Sequence, residues 1–404
     1  MTTLATRALV ATTAIQALAA CAALAIPAIA PVIAERLGVP ASMIGTYIAL
    51  LYIGAAAAAL AGGGIVLRYG ALRLSQACLI VCALGLLATL LLGFEVGAVA
   101  LLAVAASALL IGLGYGPITP ASSHVLARTT PPERMALTFS IKQTGVPAGA
   151  ALAGLVVPPL TVSFGWQVAL IVVAIGCLAV ALASQPLREP LDIDRDRTAR
   201  LSMGALIGGL SLVAASAPLR TMALVSFFYS GMQMSVSGFI VSYLHGEVGF
   251  GLVAAGTALT AANATGVVAR IGWGSLSDRT GAPRGVLALI GFLMAAASVG
   301  AALISASWPL VAVLAVAAAL GATAIGWNGV YLAEVARLAP PGAAGKATGG
   351  CLFFTFVGVV VLPFLFGWVQ RLSGSYALCF ALAAVVCTSV ALLLSVRRPA
   401  VAND

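Results

Sequence analysis

Charged side chains are scarce in this sequence. They account for 8% of its 404 residues, while hydrophobic residues account for 62%. A water-soluble domain carries roughly 25% charged residues, so this chain has too few to cover a surface that faces water. The scarcity of charge excludes a soluble fold and predicts that lipid surrounds most of the protein.

Residues suited to catalysis or metal binding are also scarce. The two histidines, His124 and His245, are far apart in the chain, and no His, Cys, Asp and Glu residues stand at the spacings of metal sites. Cys78 and Cys82 are one helical turn apart, but no further ligand accompanies them. We therefore expect no enzyme activity, no metal and no organic cofactor, and we interpret the cysteines as packing residues.

Twelve apolar stretches are long enough to cross a membrane, which takes about 20 residues per helix. Six precede a polar stretch at 185–219 and six follow it. The pattern predicts an N-terminal bundle at 1–184, a C-terminal bundle at 220–404 and a cytoplasmic linker with an interfacial helix between them. The predicted spans are 8–34, 43–67, 75–94, 98–127, 137–163, 165–184, 220–245, 252–275, 284–305, 308–334, 346–370 and 374–396.

The basic residues indicate which ends of the spans face the cytoplasm. If the chain crosses the membrane at every span, 16 of its 20 basic residues lie on the side of the N-terminus, and Arg36 and Arg371 lie on the other. Cytoplasmic loops carry the excess of Lys and Arg, so we expect a multi-pass protein of the inner membrane with both termini in the cytoplasm. A thirteenth span at 201–217 would spoil this pattern. The net charge of +9 thus reflects topology, and no nucleic-acid partner is expected.

Loops in the two halves resemble each other at a nearly constant offset. GGIVLRYG at 63–70 corresponds to GSLSDRTG at 274–281, an offset of 211 residues. ARTTPPER at 127–134 corresponds to ARLAPPGA at 336–343, an offset of 209 residues. Repeats of this kind predict duplicated six-helix halves with a binding site between them near the middle of the membrane.

The loop at 274–281 resembles the G-x-x-x-D-R-x-G motif of the major facilitator superfamily. Four residues fill its positions: Gly274, Asp278, Arg279 and Gly281. The first copy has Leu67 in place of the acid and keeps three positions: Gly63, Arg68 and Gly70. The resemblance implies an all-α membrane protein with twelve transmembrane helices in two pseudo-symmetric six-helix bundles. An acid beside a helix N-terminus is stabilised by the helix dipole, so we expect Asp278, its loop and Arg68 to take part in gating.

Two basic residues, Lys142 and Arg270, lie inside predicted spans. A charge at the centre of a membrane helix costs about 2.5–3.5 kcal/mol, so both are candidates for a role in binding. Each lies roughly 8–10 Å inside the cytoplasmic edge at 1.5 Å per residue, and two cations at one depth would attract an anion.

The spacing of Arg270 and Gly274 resembles the eighth-helix arginine of the monocarboxylate and oxalate/formate transporters. This resemblance implies that Arg270 binds a substrate carboxylate, since an arginine pairs with it bidentately. Two departures limit the resemblance: Gly266 stands where those relatives often have an acid, and the second cation, Lys142, lies in the fifth span.

Further polar side chains within the spans are candidates for contact with the substrate. They are Gln16, Tyr115, Gln143, Tyr229, Gln233, Asn263, Trp327 and Asn328. Pro147 and Gly149 follow Lys142 and predict a bend in the fifth helix. None of the eleven acids lies in the middle of a span, which argues against a pump for cationic drugs. The acids also leave the coupling open between exchange of two anions, protonation of the substrate and a role for Glu334.

These observations favour a secondary active transporter that moves a small organic anion, with a carboxylate as the preferred class, by alternating access. The alternative on the same fold is an exporter of neutral or amphiphilic compounds, in which Lys142 and Arg270 would be structural. The expected partners are the substrate, a proton or a counter-anion, and membrane lipid, and we expect the protein to act as a monomer.

Overall fold

Long helices account for almost the whole of the described chain. The computed structural model describes residues 3–38, 44–90, 97–198, 204 and 207–395. The first half contains α1 (Thr3–Ala28), α2 (Ile44–Tyr69), α3 (Ala71–Ala88), α4 (Ala98–Thr129), α5 (Pro132–Phe164) and α6 (Trp166–Leu191). The second half contains α7 (Ala217–Glu247), α8 (Leu252–Thr280), α9 (Pro283–Ala302), α10 (Leu310–Leu338), α11 (Ala344–Ser373) and α12 (Tyr376–Ser395).

The predicted count of twelve spanning helices is confirmed. Judged by length and composition alone, eleven of the described helices are long and apolar enough to cross a membrane. The remaining one, α8, is 29 residues long and carries polar side chains in its middle part. These are Thr257, Thr260, Asn263, Thr265 and Arg270.

Some predicted boundaries differ from the structure. The first span ends at Ala28, one residue after Pro27, and a separate short helix covers Ala30–Leu37. The third helix begins at Ala71, directly after Gly70, whose φ of 95° ends the preceding turn. Parts of the predicted spans and of the linker lie outside the described residues, as do the two chain ends: 1–2, 39–43, 91–96, 199–203, 205–206 and 396–404.

Each half of the chain has its own hydrophobic core. One cluster of buried residues is drawn from α1 to α6, and a second is drawn chiefly from α7 to α12. Bulky apolar side chains such as Leu155, Val162 and Phe364 are exposed on the outside, which is the arrangement expected where lipid is the solvent. The two cores correspond to the two six-helix bundles of the predicted fold.

The linker folds over one end of the first bundle, which we call the linker end. The Asp192 carboxylate accepts hydrogen bonds from the backbone N–H groups of Leu72 (2.7 Å) and Arg73 (3.2 Å) and from the Arg73 guanidinium (2.9 Å). It therefore caps the N-terminus of α3. Asp194 contacts His124 and Arg128 near the end of α4. These contacts hold residues 188–198 against the bundle.

The later part of the linker contains a short helix, Gly208–Ala215, that packs on α11. Gly209 lies so close to the backbone of Lys346 and Gly350 that a Cβ there would be within 2.9 Å of both. This short helix lies within the predicted linker, close against α11.

Candidate functional site

Three helices lose their regular geometry near the boundary between the bundles. The helix α4 is interrupted at Gly116 and Pro117, and α5 at Thr144. The helix α10 contains a π-helical segment, Gly321–Ile325, followed by a break at Gly326 and Trp327. Irregular backbone at membrane depth is tolerated where protein or a cavity surrounds it, so these breaks mark the region in which to look for a site.

A cavity of about 90 Å³ lies between the bundles at this level. Arg270 is the one charged residue among the described residues that line it. The others are aromatic, polar or aliphatic: Tyr52, Tyr115, Thr119, Gln143, Val146, Ser230, Gln233, Met234, Asn328, Leu352, Thr355, Phe356 and Val359. The cavity thus combines one cation with several hydroxyl and amide groups.

Arg270 connects the two bundles. Its side chain is 2% exposed. Its Nε donates to the carbonyl of Ile325 in α10 at 2.9 Å, and its Nη1 donates to the carbonyl of Gln143 in α5 at 2.6 Å. The second bond crosses from the C-terminal bundle to the N-terminal one.

The carbonyl of Gln143 is free to accept this bond because of a proline. In a regular helix it would accept from the N–H of the residue four positions later. That residue is Pro147, which has no N–H. The helix α5 is interrupted at Thr144, and the orphaned carbonyl becomes the anchor of Arg270.

Arg270 keeps donors for a ligand. A guanidinium has five N–H donors in a planar fork, and the two carbonyls engage two of them. Since Arg270 also lines the cavity, the remaining donors are available to an acceptor that enters it. The arrangement is chemically suited to bind an anion with a planar pair of oxygens.

Lys142 lies behind the cavity wall rather than on it. Its ammonium donates to Oε1 of Gln16 at 2.7 Å and to Oγ1 of Thr119 at 3.3 Å. Gln16 and Lys142 are both buried, and neither is among the residues that line the cavity. The expected pair of cations facing one anion is therefore not the arrangement observed, because α1 and α4 enclose the lysine within the first bundle.

The other candidates divide into two groups. Tyr115, Gln143, Gln233 and Asn328 line the cavity, and the Asn328 amide donates to Gln233 at 3.1 Å. The remaining three lie elsewhere: Tyr229, Trp327 and Asn263.

Each of these three side chains has a local partner. The hydroxyl of Tyr229 donates to the carbonyl of Leu287 in α9 at 3.0 Å. Trp327 is fully buried, with its ring between those of Tyr229 and Tyr331. Asn263 is exposed and donates to the carbonyl of Leu259 within its own helix. Helical spacing correctly placed Tyr229 and Gln233 on neighbouring turns, but it did not reveal that only Gln233 reaches the cavity.

Sequence reasoning missed several lining residues. Thr119 follows Tyr115 by one helical turn and could have been found from that spacing. Tyr52, Ser230 and Thr355 carry no such signal, since an isolated hydroxyl in an apolar helix is equally suited to bond its own backbone.

The two bundles are latched together at the linker end. The Asp278 carboxylate at the end of α8 accepts from the backbone N–H groups of Ala136 at 2.9 Å and Leu137 at 2.8 Å, at the start of α5. Gly274 lies against Ala136 and Ser140, where a Cβ would overlap the Ser140 side chain. A carboxylate at a helix N-terminus is well placed to accept from free N–H groups.

The other predicted gating residues lie at the same end, with Arg279 and Gly281 exposed and Arg68 half-buried. Gly281 ends α8 with a φ of 62°, which is the left-handed conformation that glycine adopts without strain. The guanidinium of Arg68 lies 5.6 Å from the ring centre of Tyr69.

The corresponding contact of the first half lacks an acid. Gly63 of α2 touches the backbone of Lys346 at the start of α11, and a Cβ at Gly63 would overlap it. Leu67 occupies the position of the acid, so at this contact close packing takes the place of the carboxylate. The two contacts therefore differ: the Asp278 carboxylate bonds α8 to α5, whereas Gly63 packs α2 closely on α11.

Comparison with protein families gave one match. The model of the family described as Major Facilitator Superfamily matches residues 12–349 and, in a second match, residues 222–404. A comparison with curated proteins gave no match.

Solved structures of transporters share the fold over nearly the whole chain. The transporter FucP in the outward conformation has a TM-score of 0.75 at 18% identity, covering 96% of this chain and 97% of FucP. The human organic anion transporter MFSD10 has a TM-score of 0.74 at 15% identity, covering 96% and 99%. A bacterial homologue of the iron transporter ferroportin in its outward-facing state has a TM-score of 0.75 at 15% identity, covering 97% and 99%. At these identities the likeness shows the fold.

Proposed function

Because the chain belongs to the major facilitator superfamily and is a transporter, we propose that it is a secondary active transporter of a small organic anion, preferably a carboxylate. One observation carries this proposal: Arg270, the single charge of the described cavity wall, lies between the bundles and keeps unused donors. Proteins with this fold include an organic anion transporter, a homologue of an iron transporter and a proton:xylose symporter, so the choice of an anion rests on Arg270.

The remaining lining residues define the shape of the substrate. Amides and hydroxyls surround the cation, with Gln143 and Tyr115 on the first bundle and Gln233 and Asn328 on the second. The volume of about 90 Å³ is below the roughly 300–1,000 Å³ of typical ligand pockets. A short carboxylate with one or two further polar groups fits this combination of size and chemistry.

Transport would follow alternating access. The Asp278 latch and the Arg270–Gln143 bond both tie the second bundle to the first, so both must break before the linker end opens. An anion at Arg270 would compete with the Gln143 carbonyl for the guanidinium and so help to release the tie. Gly274, Gly281, Arg279 and Arg68 would shape and support the moving loops.

We also propose a topology and a set of partners. The bundles would comprise residues 1–184 and 220–404, joined by the cytoplasmic linker 185–219. The protein would lie in the inner membrane with both termini in the cytoplasm, as the distribution of basic residues predicts. It would act as a monomer surrounded by lipid, with a proton or a counter-anion as the coupled species.

The test is counterflow in proteoliposomes with labelled lactate, formate, oxalate and succinate. Removing one partner of a buried, charged hydrogen-bonded pair costs about 2–5 kcal/mol, so Arg270→Gln should lower the apparent affinity by at least about 30-fold. Arg371→Gln, which replaces an exposed arginine of α11, is the matched control and should transport normally. Undiminished carboxylate counterflow by Arg270→Gln would refute the anion site.

The alternative is an exporter of neutral or amphiphilic compounds. It is favoured by the aromatic and aliphatic part of the wall, which includes Tyr52, Phe356 and Val359. In that case no carboxylate would show counterflow, while labelled sugars or amphiphiles would, and Arg270→Gln would leave their transport unchanged.

A further inference from the structure

Lys142 is a buried cation that the proposed anion site does not use. Its side chain is 1% exposed. Both of its hydrogen-bond acceptors, the Gln16 amide oxygen and the Thr119 hydroxyl, are neutral. Within the described part of the chain, no carboxylate lies within ion-pair distance of it. Buried charges in proteins are normally paired, so an unneutralised lysine here requires an explanation.

The pocket of Lys142 can serve both protonation states of the amine. Gln16 turns its Oε1 to the ammonium, and its Nε2 has no partner. An amide carries an acceptor and a donor at opposite sides of one rotatable bond. Rotation by half a turn would present Nε2–H to the lone pair of a neutral amine. The same side chain can therefore stabilise the lysine with or without its proton.

Thr119 connects this pocket to the cavity. Its hydroxyl donates to Gln16 at 3.1 Å and accepts from Lys142, and the residue also lines the cavity. Lys142 is followed directly by Gln143, whose carbonyl holds Arg270 and whose side-chain oxygen has no partner. Lys142 is thus connected to the proposed anion site in two ways, through the hydroxyl of Thr119 and through the adjacent residue Gln143. A change in its charge would be felt at that site.

Other titratable groups occur on the helices packed against this part of α5. They include Tyr115, His124 and Arg128 on α4, Arg270, Asp278 and Arg279 on α8, and Tyr331, Glu334 and Arg337 on α10, while α1 carries Arg7 and Cys21 besides the neutral Gln16. His124 is hydrogen-bonded to Asp194, and Glu334 is paired with Arg337 at 3.7 Å. Asp278 accepts two backbone N–H groups, and an arginine is not deprotonated in proteins. Lys142 differs from these groups because its described contacts are all neutral and because it adjoins the cavity.

We infer that Lys142, Gln16 and Thr119 form a proton-binding site that couples proton movement to transport of the anion. The neutral amine takes up one proton, and the resulting ammonium raises the affinity of the cavity for the anion through its positive charge. After the bundles rearrange, the anion leaves and the ammonium releases its proton on the same side. One proton moves with each monoanion, so the cycle is electroneutral. This inference rests on the proposed function.

The test separates coupling from binding. Proteoliposomes containing a pH-sensitive dye report proton uptake, and labelled lactate, formate, oxalate and succinate report transport. In wild type, an imposed proton gradient should drive accumulation of the carboxylate, and the dye should report the accompanying proton uptake. Lys142→Met and Lys142→Arg should keep counterflow at equal pH but lose both accumulation and proton signal at least about tenfold. The control variants His124→Gln and Glu334→Gln each remove a competing proton carrier. Both should retain the accumulation of carboxylate and the proton signal.

A binding measurement remains informative for a variant that cannot complete the transport cycle. The affinity of purified wild type for the carboxylate should fall with rising pH, by at most about tenfold per pH unit for one linked proton, and that of Lys142→Met should not. Three results would each overturn the inference. They are proton-driven accumulation by Lys142→Met, loss of coupling in Glu334→Gln instead, and a folded Lys142→Arg protein that shows no counterflow. Absence of carboxylate counterflow in wild type would instead refute the proposed function.

Discussion

The guanidinium of Arg270 donates a hydrogen bond of 2.6 Å to the backbone carbonyl of Gln143 across the boundary between the bundles. The bond exists because Pro147 leaves that carbonyl without a helical partner. One side chain therefore belongs to the proposed substrate site and also to the contact that holds the linker end closed.

Replacing Pro147 by alanine should weaken this connection. An alanine at this position would supply an N–H to the Gln143 carbonyl, so the carbonyl would no longer depend on Arg270. A hydrogen bond to a charged group contributes about 1.5–3 kcal/mol, and we expect the open form of the linker end to gain about tenfold in population. Distances between spin labels at Glu133→Cys and Thr280→Cys, both exposed and on opposite bundles, would measure it. Pro158→Ala, in the same helix, should leave the distances unchanged.

The Asp278 latch should open when its charge is removed. Asp278→Asn has one acceptor oxygen in place of two, so it cannot receive both the Ala136 and Leu137 N–H groups as the carboxylate does. The same pair of spin labels should then report a larger fraction of long distances, by about tenfold for a loss of roughly 1.5 kcal/mol. Glu35→Gln, an exposed acid away from the latch, serves as the comparison. An unchanged distribution in Asp278→Asn would show that the latch does not hold the linker end.

Close packing of Gly63 on Lys346 predicts a steric effect at the other half of the linker end. A methyl group at Gly63 would overlap the Lys346 backbone, whereas one at Gly154 would meet nothing within 4 Å. Overpacking costs typically about 1–3 kcal/mol. We expect Gly63→Ala to disfavour the closed form and to reduce counterflow severalfold, with Gly154→Ala close to wild type. Equal counterflow in the two variants would mean that α2 and α11 can separate without cost.

Asp194 should make the stability of the folded protein vary with pH in the acidic range. Burial by itself would raise the pKa of this carboxyl, but hydrogen bonds from Arg128 and His124, together with their charges, outweigh burial and lower it. Its contribution is therefore complete above the ordinary carboxyl pKa of about 3.9. The contribution is lost as the pH falls below that value through the lowered folded pKa.

Asp194→Asn should accordingly melt at a lower temperature than wild type near about pH 6, and the gap should narrow below about pH 4. Thermal unfolding of the purified protein at several pH values measures this, with Asp196→Asn in the same linker as the comparison. A gap that stays constant from neutral to acidic pH would show that the charge of Asp194 is not what holds the linker.

The sequence by itself determined the twelve helices and one end of the latch. Apolar stretches of sufficient length predict spanning helices because lipid cannot satisfy a free backbone N–H or C=O. Gly281 and Asp278 were identified from the resemblance of their loop to the superfamily motif, and local physics gives the reason for each: a helix end needs a residue that tolerates a positive φ, and free N–H groups attract an acid.

Only the tertiary structure decided which polar side chains meet. Helical spacing defines a face, but the rotation of a helix against its neighbours depends on the packing of the whole bundle. For that reason Gln233 reaches the cavity while Tyr229, four residues earlier, bonds to α9. Lys142 and Arg270 were both recognisable as charges in lipid. Lys142 is held by Gln16 inside the first bundle, whereas Arg270 spans the two bundles. Both arrangements depend on contacts between residues more than 100 positions apart in the chain.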